Sequence, residues 1–341
     1  SRGSTMLQRL PHVLKFKLGW CELTKVLFKL EDGALTETVF SQALVGSRGV
    51  GGGLGSRRNS SSSSSSSSLG SRYDELRSSG PGMASMTDCV GTDVAMRNTV
   101  CVSSQIGCRR MCGHCSSGGR FQRDLTASEI VGQVAAFAVD HEIGHVVFQG
   151  TGEPLDNPAV CHAAHFLATS FHKLTCTCDG VDVDCWPKEA QTASQPTICV
   201  STVGSSSGIR QMALVAPENL SLMLSVMPDV ERGEPLSELL ACSDEFAART
   251  GRPVALSYTM IEGLDTERHI DGLLAHMRGR MESHVLQLVQ YHPNCDALPA
   301  SRSPVRPSTP TAIRHCVARL KEHGCRVGFG QYCEFPSALL D

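Results

Sequence analysis

The sequence predicts an α/β protein whose core is a partial (β/α)6 barrel of TIM-like form, preceded by a short β-hairpin. Three observations carry this. From Arg97 onward, short β-prone runs alternate with amphipathic helical runs in about six units, a pattern that demands parallel strands and right-handed crossovers. Two β-prone runs, Val26–Leu30 and Leu35–Phe40, flank the turn at Glu31, Asp32 and Gly33 and read as a hairpin. The length of 341 residues suffices for one barrel-sized core plus appendages.

Taken in order, residues 1–45 hold the hairpin. Their first part carries Arg2, Arg9, Lys15 and Lys17 and no acid, which fits an organellar transit segment or a plain basic strand. Residues 46–95 are dominated by glycine and by the run Ser60–Ser68. With few apolar side chains to offset the entropy of ordering, they are expected to form a disordered insert. The core, residues 96–341, begins with a strand at Thr99–Val102. Ala127–Ala138 shows helical spacing of apolar residues, opened by Thr126 with Glu129 three residues on, a capping box. A strand at His145–Phe148 runs into Gly150, and a helix at Ala159–Thr169 follows. Further strands are expected at Ile198–Val203, Leu220–Ser225, Val254–Met260, Val285–Tyr291 and Cys325–Phe329. Helices are expected at Leu236–Thr250, Glu267–Arg278 and Ala312–His323. A second insert, at about residues 175–196, carries Cys176, Cys178 and Cys185, a weak zinc pattern without a clear fourth ligand.

The densest chemistry follows the first core strand, where a barrel keeps its functional residues. Cys108, Cys112 and Cys115 are spaced C-x-x-x-C-x-x-C. Soft thiolates suit iron–sulfur and zinc alike. A structural zinc ion wants a fourth Cys or His at a matching offset, and His114, between two of the cysteines, is poorly placed to close on the same metal. A [4Fe–4S] cluster with one iron left open is the better reading, and an open iron can bind a ligand. Net charge is −3, so nucleic-acid binding cannot be inferred from charge. Sixteen cysteines without a regular framework favour a reducing compartment. No apolar run reaches membrane-spanning length, so a soluble protein with no membrane partner is expected.

The three-cysteine spacing resembles the signature of radical S-adenosylmethionine (SAM) enzymes. Its flanks, Cys101–Cys108, Leu125–Gln133 and Gly150–Leu155, resemble the RlmN/Cfr-type rRNA adenosine methyltransferases in order and spacing. The similarity runs from about Trp20 to about Phe329, broken by the two inserts. The resemblance implies a radical SAM barrel with a [4Fe–4S] cluster on Cys108, Cys112 and Cys115. The hairpin would be the remnant of an accessory domain. SAM would be held by Gly152 and Glu153 at its amino group and by Ser201 and Ser225. His292 stands where the family has an asparagine that contacts SAM, and Met227 where it has a histidine. Cys101 would take the C2 proton of adenosine and resolve a protein–RNA adduct, with Glu37 as a proton acceptor. The family's methyl-carrying cysteine lies in a C-terminal segment that Gly330–Asp341 does not resemble, which leaves Cys333 as the local candidate carrier.

By the same resemblance the substrate is an adenosine of large-subunit ribosomal RNA or of transfer RNA, methylated at C2 or C8. Partners would be rRNA or the pre-ribosomal large subunit and an electron donor such as flavodoxin or ferredoxin, in a mitochondrion or the cytoplasm. The alternative is a catalytically altered relative that keeps the fold and serves as an rRNA-binding ribosome-assembly factor.

Overall fold

A computed structural model describes residues 7–18, 21–43, 84–85, 98–115, 118–171, 176–178, 181–183, 195–230, 232–291 and 305–331. It begins with a three-stranded antiparallel meander of β1 (Gln8–Leu18), β2 (Cys21–Lys29) and β3 (Leu35–Ala43). The expected hairpin is thus the inner part of a larger unit, and much of the basic N-terminal run is its outer strand. Gly33, at φ +83°, makes the β2–β3 turn, and Ala34 N–H donates to the Asp32 carboxylate at 2.9 Å. Within the 46–95 insert, only β4 (Ala84–Ser85) is described.

The core opens with β5 (Thr99–Cys101), antiparallel to β3. A separate hairpin follows, β6 (Gln105–Cys108) and β7 (Gly119–Asp124), which the sequence reading did not anticipate. It carries the three-cysteine loop. Helix α1 (Ala127–Ala138) starts with the predicted capping box: Thr126 accepts from Glu129 N–H at 3.2 Å, and the Glu129 carboxylate accepts from Thr126 N–H at 2.8 Å. Then come β8 (His145–Phe148), a 3-10 turn at Pro154–Asp156 and α2 (Ala159–Thr169). In the second insert, β9 (Cys176–Cys178) pairs antiparallel with β10 (Val181–Val183); Cys185 lies outside the described residues.

The remaining order is β11 (Thr197–Thr202), α3 (Ser206–Val215), β12 (Leu220–Ser225), α4 (Leu236–Thr250), β13 (Val254–Met260), α5 (Glu267–Met277), β14 (His284–Gln290), α6 (Pro310–Glu322) and β15 (Val327–Gln331). Helix α3 went unpredicted because its first turn, Ser206, Ser207 and Gly208, reads as loop; Ser205 caps it by accepting from Gly208 N–H at 3.3 Å.

One sheet joins these strands in the order β1-β2-β3-β5-β8-β11-β12-β13-β14-β15-β4. From β5 through β8 and β11 to β15 every neighbour is parallel, seven strands rather than six. β4 extends the far edge. Among the described residues the sheet is open, with no pairing between its first and last strands. The fold is a mixed α/β one with a parallel sheet and helices, and among the described residues the sheet does not close into a barrel.

Alternation sorts the parallel strands, which are buried on both faces. Val146, Phe148, Ile198, Val200, Leu222 and Leu224 point into the main core with the helices. Val147, Cys199, Met223 and Ala255 form a second, smaller cluster on the opposite face, with Cys101 packed against it. That inner face leads to the site.

Candidate active site

The quoted motifs are physically knit together. Gln133, fully buried on α1, accepts from Thr38 Oγ1 at 2.8 Å and Ser103 N–H at 2.9 Å, and donates to the Ser103 carbonyl at 3.0 Å. Asn157 Nδ2 donates to the carbonyls of Ser104 and Leu125, both at 2.7 Å. Gln105 accepts from Glu153 N–H at 3.0 Å and donates to Asp124 at 2.8 Å. The segment Ser103–Gln105 is therefore the hub on which β3, α1 and the Gly150–Leu155 segment meet.

The glycines serve this packing. A Cβ on Gly150 would lie 2.7 Å from the Val102 carbonyl oxygen, and one on Gly152, at φ +109°, would lie 2.7 Å from Gln105 and Ser104 side-chain atoms. At these two positions the missing side chain lets the backbone approach the neighbouring chain segment closely.

The cysteine loop is latched on two sides. Arg110 makes a bidentate pair with Asp156 at 2.6 and 2.8 Å, tying the loop to the 3-10 turn after Glu153. On the other side, Asp229, just after β12, accepts from Gly113 N–H through its carbonyl at 3.1 Å and bonds His114 Nδ1 through its carboxylate at 2.8 Å. His114 is thus engaged by a carboxylate as well as placed between two cysteines. None of Cys101, Cys108, Cys112 and Cys115 is in a disulfide. Burial pushes the Cys108 thiol up to about 11, and the nearby Glu153, Cys112 and Asp156 add to the rise.

A cavity of about 170 Å³ lies at the carboxyl ends of the parallel strands. Cys112, Cys115 and His114 border it on the loop side. Gly152 and Glu153 follow β8 there, and Ser201 and Ser225 come from β11 and β12. Six of the residues singled out in the sequence, Cys112, Cys115, Gly152, Glu153, Ser201 and Ser225, therefore share one cavity. Cys108 is buried at 7% exposure and Cys101 sits farther along the inner face. Glu37 lies on β3, ion-paired to Lys25. His292 and Cys333 lie outside the described residues.

Glu153 is the most unusual group. Its carboxylate is 3% exposed and accepts from the Thr202 hydroxyl, from Val203 N–H at 2.9 Å and from Leu155 N–H at 3.0 Å. Burial pushes its pKa up, and these three hydrogen bonds pull it back. Among the described residues it has no ion-pair partner, although it borders the cavity. A buried carboxylate of this kind suits a cationic ligand group.

Sequence reasoning missed the far wall. Ser257, Thr259 and Gln287 on β13 and β14 also line the cavity. The available signal was period-2 polarity: Ser257 and Thr259 alternate with the buried Leu256 and Tyr258. Arg232 was missed as well; its guanidinium donates to the Ser225 carbonyl at 2.8 Å, and burial lowers its pKa against the opposing pull of Cys112 and Asp229. Met227, 1% exposed, is a core residue whose Sδ accepts from Thr259 N–H at 3.1 Å.

No family model matches the chain. It is 33% identical over 226 residues to a probable dual-specificity RNA methyltransferase RlmN of Thermosynechococcus vestitus, covering 62% of this chain and 60% of the relative. A protein of the same description from Synechocystis sp. is 35% identical over 222 residues, covering 60% and 57%. One from Frankia casuarinae is 34% identical over 249 residues, covering 67% and 54%. The chain thus spans between half and about three fifths of the length of the curated relatives it matches. A crystal structure of a radical SAM methyltransferase from Sphaerobacter thermophilus superposes with a TM-score of 0.64 at 22% identity, over 96% of this chain and 78% of that one, which shows a shared fold. Over the matched part of the chain, these relatives support an RlmN/Cfr-type family.

Proposed function

We propose that this protein is a radical SAM enzyme that methylates an adenosine of large-subunit ribosomal RNA, or of transfer RNA, using a [4Fe–4S] cluster held by Cys108, Cys112 and Cys115. The single observation that supports it most is the pairing, in one cavity, of two loop thiols with a buried carboxylate that makes no ion pair among the described residues. The donor set fits a cluster: three cysteines occupy one short loop fixed by Arg110 and Asp229. Among the described residues no three His, Cys, Asp or Glu side chains converge on one mononuclear metal position. A cube asks for something else, since it spreads its thiolates over separate irons. When bound and reduced, the cluster would supply the electron that cleaves SAM to methionine and a 5′-deoxyadenosyl radical.

The chain's own residues would do the rest. Glu153 would take the ammonium of SAM, its lone pairs oriented by Thr202, Val203 and Leu155. Gly152 would stand with Glu153 at that amino group, and Ser201, Ser225 and His292 would be further SAM contacts. Cys101 and Glu37 would handle the proton of the base, and Cys333 would carry the methyl group. Flavodoxin or ferredoxin would supply electrons. The domain division at about residues 45 and 95 belongs to the same reading.

The test is incubation of cluster-loaded protein with large-subunit rRNA or transfer RNA, methyl-labelled SAM and a reductant, followed by nucleoside mass spectrometry. Labelled 2- or 8-methyladenosine is the expected result. A second reading, an rRNA-binding assembly factor, is favoured by Met227, which is packed in the core where the family has a histidine. Tight rRNA binding with no labelled nucleoside would select it.

A further inference from the structure

Lys25 is a lysine buried to 2% exposure in the middle of β2, a costly place for an ammonium. Its Nζ lies 2.7 Å from the carboxylate of Glu37, itself 12% exposed. The strand register explains where this pair points. Lys25 stands opposite Val39, Val39 opposite Cys101, Cys101 opposite Val147 and Val147 opposite Cys199. Directly opposed residues share a face, so Lys25 belongs to the same inner row as Cys101 and the small cluster beneath the cavity. Glu37 precedes Val39 by two residues and so faces the same way.

Other contacts tie this row to the cavity. The Ser103 hydroxyl donates to the Glu37 carbonyl at 2.6 Å and accepts from Thr151 N–H at 3.0 Å, in the segment that also carries Gly152 and Glu153. Cys101 packs against the small cluster that includes Met223 and accepts a hydrogen bond from the backbone of Gln149, and Met223 and Gln149 line the cavity. The charged groups facing Cys101 are Glu37 from β3 and Lys25 from β2.

We propose that Lys25 is a positioning residue: its ion pair fixes the Glu37 carboxylate on the inner face of the sheet, in the row that also carries Cys101, so that the Lys25–Glu37 couple sets the charge around the Cys101 thiol. The role of the couple rests on the function proposed above, whereas the electrostatic arrangement does not. Burial raises the Cys101 thiol to about 12, Glu37 raises it further and Lys25 lowers it, so each charge has a signed effect on thiol reactivity.

The experiment is iodoacetamide alkylation of the full-length, cluster-loaded protein between pH 8 and 10, with Cys101 followed by peptide mass spectrometry. Lys25→Met should slow Cys101 alkylation at a given pH about tenfold, because an unopposed carboxylate disfavours the thiolate. Glu37→Gln should speed it about tenfold. Lys25→Arg should stay near the wild-type rate, as should the double variant Lys25→Met/Glu37→Gln. If Lys25→Met does not fold, the single Glu37→Gln and the double variant still decide the matter. Cys101 rates that do not differ between wild type and Glu37→Gln, or a Lys25→Arg variant as slow as Lys25→Met, would overturn the proposal. Failure of the wild-type protein to methylate RNA would remove the proposed function and leave this readout intact.

Discussion

The two ends of the parallel strands carry buried polar networks of opposite character. At the amino ends, His284 is fully buried and both ring nitrogens are engaged, Nε2 with Ser243 at 2.9 Å and Nδ1 with Ser283 at 2.8 Å. Beside it, Arg280 clamps Asp244 through two bonds of 2.7 Å. Charge meets countercharge and the network is closed. At the carboxyl ends, Glu153 is nearly as buried and borders a cavity, but among the described residues it makes no ion pair, and the Arg110 guanidinium that feels its charge is held by Asp156. Both networks are well hydrogen-bonded, so hydrogen-bond satisfaction alone does not mark a functional site. What separates the two ends is a charge that, among the described residues, makes no ion pair and lies next to open volume.

Four measurements sharpen or break that contrast, from the largest effect to the smallest. Replacing Lys25 by Met should cost about 3–5 kcal/mol in urea unfolding, since it strands a buried carboxylate. Adding Glu37→Gln to it should recover most of the loss. At the cavity, Glu153→Gln should weaken SAM binding to the cluster-loaded protein by at least about 30-fold in equilibrium dialysis, because a desolvated charge pair is lost. An unchanged affinity would detach Glu153 from the ligand.

At the amino ends, burial lowers the His284 pKa to about 4. The folded state therefore stays neutral while the unfolded chain takes up a proton below its ordinary histidine range. The stability this imidazole contributes is complete above that range and falls as pH drops toward 4, by on the order of 2 kcal/mol. His284→Gln should flatten this part of the pH profile of unfolding without changing SAM affinity. Smallest of all, Glu245→Ala removes the exposed partner of Arg210 and should leave the unfolding midpoint within experimental error.

How much of this was legible beforehand follows from the range of each interaction. The capping box of α1, the Gly33 turn and the cysteine spacing are local, and each could be read within eight residues. The cavity residues Gly152, Glu153, Ser201 and Ser225 were found through motif likeness, and the structure brings them together at the carboxyl ends of parallel strands. The β6–β7 hairpin and α3 escaped because their sequences are polar or glycine-rich and tertiary partners stabilise them, whereas β1 stood only as one of two readings of the basic N-terminal run. Lys25 escaped for a different reason: its significance lies in cross-strand register, which the local pattern around Val26, Leu27 and Phe28 does not reveal.

The most direct test of the account is anaerobic reconstitution with iron and sulfide, followed by SAM and dithionite. Cys112→Ala serves as the control, and iron content, the visible absorption band and 5′-deoxyadenosine are measured together. The account predicts a cluster on the wild-type protein that yields deoxyadenosine, with both lost in the variant. A wild-type protein that binds no cluster, or a Cys112→Ala variant that keeps one unchanged, would contradict it.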